Sequence, residues 1–184
     1  MPSNERFEQQ NFVFNCGEAY EDCEFYSVDF SSVSLKNGLF VDCTFHQCNF
    51  ANVEPMSGSI RNCTFINSNL IGVNWCALKN FSGSHFDSCK LNYSVFQNLK
   101  LPSTRFADCS LVEVDFSGCD LSGADFSRSN FSGANLNGSN LTGADFRTSK
   151  EYVFDVRTTK IKNSKFSFPY VASLITALGA EVDM

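Results

Sequence analysis

Large apolar residues recur at every fifth position over most of this chain, and that period excludes both regular ways of burying a side chain. They stand at Phe25, Phe30, Leu35, Phe40, Phe45 and Phe50, then at Ile60, Phe65, Leu70 and Trp75. One extra residue separates Trp75 from Phe81, and the series resumes through Phe86, Leu91, Phe96, Leu101, Phe106, Leu111, Phe116, Leu121, Phe126, Phe131, Leu136, Leu141 and Phe146. A helix of about 3.6 residues per turn, or a strand of period about 2, cannot hold such a series on one inward side for so long. A chain that turns a corner every five residues can.

Two residues before each large one stands a small one, such as Cys23, Val28, Val33, Cys43, Cys48, Cys63, Ser68, Cys89, Cys109, Ala124 or Ala144. Residues two apart in an extended segment point the same way, so small and large both face inward and the three between face out. Four such sides close a square coil of 20 residues, whose faces are columns read at that interval. The first column is Phe25, Phe45, Phe65, Phe86, Phe106, Phe126, Phe146 and Phe166, all Phe, with one residue added across the insertion. Stacked coils about 4.8 Å apart would place these rings face to face along an axis. The expected fold is an all-β solenoid, a quadrilateral β-helix of about eight coils over residues 23–168. Residues 1–22 form an irregular lead-in, since Val13 to Glu21 fits no register, and 169–184 a carboxy-terminal helix that caps the rod.

The run SGCDLSGADFSRSNFSGANLNGSNLTGADF, residues 117–146, carries the A(D/N)LXX signature of the pentapeptide-repeat proteins, which this chain resembles. Its ending is similar to that of the Qnr-type and MfpA-like topoisomerase-protecting members, through Asp155, Arg157, Ile161, Phe166, Ala172, Ser173, Leu174, Leu178 and Gly179. The resemblance implies a right-handed coil, dimerised end to end through the terminal helix. It also implies a rod like B-DNA in width and charge that binds DNA gyrase or topoisomerase IV and relieves quinolone action. The long projecting loops of many Qnr proteins are missing, with only an irregular corner at Val53 to Met56 and the insertion between Cys76 and Asn80. That places the chain nearer the loopless MfpA-like form.

The residues supply candidates for both contacts. Val171, Leu174, Ile175 and Leu178 follow Pro169 at helical spacing, ahead of Gly179, and form a stripe that either lies on the last coil or meets a second copy. Residues 106–146 carry six acids, Asp108, Glu113, Asp115, Asp120, Asp125 and Asp145, against Arg128 alone. Residues 18–54 are acidic too, whereas 147–165 reverse sign with Arg147, Lys150, Arg157, Lys160, Lys162 and Lys165. An acidic rod is attracted to a basic DNA channel; the plain alternative is a set of solvated faces on a scaffold for another protein.

Other function classes find little support. The formal net charge of -6 and pI near 4.8 argue against direct nucleic-acid binding, which rests on clustered Lys and Arg. No apolar stretch approaches the roughly 18 to 20 residues of a membrane span, and MPSNERFEQQ lacks the pattern of a secretory leader, so a cytoplasmic location is expected. Seven of the 9 Cys occupy the small inward position, and no CxxC occurs, so compact structural thiols are expected rather than disulfides or metal. His46 and His85 each adjoin an inward Phe, with no nucleophile or carboxylate pair at a telling spacing. The chain is therefore expected to be no enzyme and to need no cofactor.

Overall fold

The computed structural model describes residues 1–9, 12–14 and 17–182, and in it the chain winds as its period requires. One face of the coil is a parallel sheet of six short strands. They are β1 (Arg6–Glu8), β3 (Glu24–Tyr26), β5 (Thr44–His46), β7 (Thr64–Ile66), β9 (His85–Asp87) and β10 (Phe106–Ala107), in that order. A second face stacks β2 (Ala19–Glu21), β4 (Leu39–Val41), β6 (Ser59–Arg61) and β8 (Asn80–Ser82). Beyond β10, successive coils meet through single parallel bridges such as Asp115↔Asn135 and Asp120↔Asn140. Outward residues account for this change. Apart from Glu24, the residues that flank the inward Phe in β3, β5 and β7 are Thr, Tyr, His and Ile, which favour extended backbone, whereas Asp, Asn and Ser flank Phe116, Phe126 and Phe131 and favour turns.

The interior is the expected ring column. Phe25, Phe45, Phe65, Phe86, Phe106, Phe126, Phe146 and Phe166 stack with centroids 4.8 to 5.5 Å apart. Neighbouring columns meet it edge-on, as Phe96 meets Phe106 at 5.7 Å and 88°. The extra residue before Phe81 is taken up by a 3-10 turn at Trp75–Ala77, whose first free amide, Cys76 N, donates to Asn74 Oδ1 over 3.1 Å. Stacking then continues, with Ile60 opposite Phe81 and Phe65 opposite Phe86.

Both ends depart from the regular pattern. Stacking begins before residue 23, because β1 sets Phe7 against Phe25 with centroids 5.1 Å apart, and Tyr20 stacks on Phe40 at 5.2 Å. The first coil is two residues short, which hides Phe7 from a search at constant interval. At the other end Glu151 takes a left-handed backbone and Tyr152 turns inward, fully buried, against Phe146 and Phe166. The closing helix α1 spans only Ala172–Thr176; it lays Ala172 and Leu174 on the last coil, and Ser173 Oγ donates to Tyr152 O over 2.7 Å.

Candidate partner-binding surface

Asp115, Asp120 and Asp125 each precede an inward large residue, on three successive sides of the coil. Their Oδ1 atoms accept from the amides of Ser117, Ser122 and Ser127 at 2.9, 3.1 and 2.9 Å, closing a turn of the kind Asp and Asn side chains form. From the next coil Asn135 Nδ2 donates to Asp115 and Asn140 Nδ2 to Asp120, at 3.2 and 2.9 Å. The carboxylates are thus held half-buried and flush with the rod, with their second oxygens free of these ladder bonds. Asp108 and Glu113 differ, standing exposed at corners with left-handed backbones, φ 55° and 56°.

The six acids are not electrically equivalent. Arg128 Nε donates to Asp108 Oδ1 over 2.6 Å, and these hydrogen bonds with the guanidinium charge hold the Asp108 carboxyl below the usual range. Hydrogen bonds from Arg147 lower Asp145 likewise, with Lys165 4.0 Å away, and Arg105 lies 3.5 Å from Asp125. Glu113, Asp115 and Asp120 have no ion-pair partner among the described residues. In the basic segment Arg157 is occupied by Asp155 at 2.8 Å, while Lys150, Lys160 and Lys162 stand exposed without an acidic partner among those residues.

At the carboxy-terminal end the expected apolar stripe divides. Leu174 is buried and Val171 half-buried on the last coil, whereas Ile175 is 41% and Leu178 52% exposed. A helix of five residues is too short to present one continuous seam. Phe168 and Val153 are exposed beside it, and a groove of about 500 Å³ runs between Val153, Pro169, Tyr170, Thr176 and Val182.

Inside the coil the thiols do more than fill space. Cys119 Sγ donates to Phe96 O at 2.9 Å and Cys48 Sγ to Phe25 O at 3.4 Å, each reaching the coil before. Ser129 and Ser149 donate in the same way to Phe106 O and Phe126 O. Burial pushes the Cys48 and Cys119 thiols up to about 12, so they stay protonated donors. Cys16 lies outside the described residues. Among those described, no group of three or more His, Cys, Asp or Glu is placed to hold a metal ion, and no helix is long and apolar enough to cross a membrane.

A family profile of pentapeptide repeats, in eight copies, matches residues 109–147, and a profile of the SV2A/B/C luminal domain matches residues 2–80. Among solved structures, full-length QnrB1, a plasmid-mediated fluoroquinolone resistance protein, superposes with a TM-score of 0.63 at 18% identity, covering 97% of both chains. A trypsin-treated QnrB1 structure superposes at 0.52 with 21% identity, covering 99% of this chain and 96% of that one. HetL, a pentapeptide-repeat protein of Nostoc sp. strain PCC 7120, reaches 0.43 at 13% identity over 89% of this chain and 83% of its own. No curated protein sequence matches. At these identities the likeness is one of fold.

Proposed function

We propose that this chain, which carries pentapeptide repeats over residues 109–147 and shares the coil of the QnrB1 structures, is a DNA-mimicking rod that binds DNA gyrase or topoisomerase IV and protects the enzyme from quinolones or another poison. The observation that carries the reading is the unpaired set Glu113, Asp115 and Asp120. B-DNA carries one charge per about 1.7 Å of axis, so a coil rise of about 4.8 Å corresponds to roughly three phosphates. Glu113, Asp115 and Asp120 fall within a single coil and match that density locally. The protein acts in the cytoplasm as a homodimer joined at its carboxy-terminal end, with Ile175 and Leu178 in the contact and Val171 and Leu174 supporting them from the last coil. No direct contact with nucleic acid is part of this reading.

A scaffold for a different protein partner is the second reading, favoured by the pairing of Asp108, Asp125 and Asp145 with the rod's own bases. A gyrase supercoiling assay with ciprofloxacin separates the two. Supercoiling restored by the protein is the expected result; no restoration and no gyrase binding at any concentration would leave the scaffold.

A further inference from the structure

One corner of the rod carries an aromatic side chain where the backbone favours none. The residue two after most inward large ones takes a left-handed backbone, and most of these positions hold Gly, Asn, Asp or Ser. Tyr93 holds this place after Leu91 with φ 61°, and its side chain is directed into solvent, 61% exposed. A bulky residue at such a φ is an outlier that costs free energy, and an exposed ring does not recover the cost by packing.

The neighbours keep the ring uncovered. Along this corner Tyr93 lies between Gly72 and Glu113 on adjacent coils, with Gly133 beyond. Gly72 has no side chain to cover it. Glu113 turns the other way, its carboxyl resting over Gly133, where a Cβ would meet Glu113 Cδ at 2.7 Å. Ile71 and Val112 lie half-buried on the same side, and Val95 bridges Asn74 and Asp115 around the corner. The edge is therefore one exposed ring beside the half-buried Ile71, Asn92 and Val112, with Glu113 and Asp115, which have no ion-pair partner among the described residues, on the next coil.

We infer that Tyr93 is the anchor of the partner interface and that the surface it meets is cationic protein, an arginine or lysine head group set over the ring with further bases reaching Glu113 and Asp115. A cation is drawn to a ring's π face and to carboxylates on the neighbouring coil together, and tyrosine is among the residues that dominate interfaces when central and desolvated. This inference rests on the topoisomerase reading and deepens it by naming the edge of the rod that the enzyme grips.

The test is binding of the full chain to gyrase, measured by surface plasmon resonance beside thermal melting. Tyr93→Gly removes the ring and the backbone penalty together, so the midpoint of melting is expected to hold or rise while affinity falls about tenfold or more. Tyr93→Phe is expected to bind within about twofold of wild type, and Met56→Ala, another exposed apolar residue on a different corner, to leave binding unchanged. If Tyr93→Gly does not fold, Tyr93→Asn is read by the same criterion, since Asn52 and Asn98 already adopt this backbone. Tyr93→Gly or Tyr93→Asn protein that binds as tightly as wild type overturns the inference and leaves the topoisomerase reading standing. Wild-type protein that fails to bind gyrase or topoisomerase IV removes both.

Discussion

Arg128 and Asp108 occupy the same corner one coil apart, both on left-handed backbones, with Arg128 Nε donating to Asp108 Oδ1 over 2.6 Å. The rod thereby cancels one of its own corner charges.

Replacing Arg128 by Gly unmasks that carboxylate. The exposed pair contributes about 0 to 1 kcal/mol, and glycine relieves a left-handed residue of a similar penalty, so thermal stability should change little. Under charge mimicry, affinity for the topoisomerase should rise about two- to fivefold at low salt and converge with wild type at high salt. Fluorescence anisotropy across a salt series measures this; weaker binding at low salt would count against mimicry at this corner.

The converse variant combines Glu113→Gln, Asp115→Asn and Asp120→Asn. Asparagine keeps the turn and the ladder, as Asn49 does by accepting from Ala51 N and Asn69 Nδ2. Melting should therefore be preserved while topoisomerase affinity falls about tenfold near 0.1 M salt, with a shallower salt slope. Unchanged affinity and slope would move the contact to the acidic coils at Glu18 to Asp42.

The all-Phe column was legible from spacing alone, because inward residues repeat at a constant interval wherever a coil keeps its count. Phe7 and Tyr152 fall outside that interval, since the first coil is two residues short and the inward step shifts from Glu151 to Tyr152 within a coil of unchanged count, and the packing of rings against Phe25 and Phe146 reveals their place. The outward position of the six acids was legible too. Their pairing was not, although Asp108 and Arg128 stand one coil apart in sequence, a signal that charge counting by segment averages away. Tyr93 stands two positions after an inward large residue, so the five-residue pattern carries no sign of its exposure. The terminal stripe runs at helical spacing over more residues than α1 contains, and only the last coil in place separates a buried Leu174 from an exposed Leu178.

That separation gives a sharper test of the proposed end-to-end contact. Leu178→Asp alters an exposed residue and should yield monomer in sedimentation velocity with an unchanged melting midpoint. Leu174→Asp, by contrast, places a charge against the core and should lower the midpoint as well. Wild type that sediments as a monomer at high concentration would dismiss the contact.

Phe106 lies between Phe86 and Phe126 with centroids 5.0 and 5.5 Å away, and meets Phe96 and Phe116 edge-on. Truncation to Ala should cost about 3 to 5 kcal/mol in chemical denaturation. A loss below about 1 kcal/mol would mean that the neighbouring rings close the gap.

The short turn at Trp75–Ala77 admits an additional residue without disturbing the pairing of Phe65 with Phe86 on the next face. Contour length and axial length are therefore decoupled: the molecule is a ruler graduated in rungs, and its reach along a partner is set by how many rungs are stacked. Material spliced in at that corner would hang from one graduation as a tag and leave the spacing of every other mark intact.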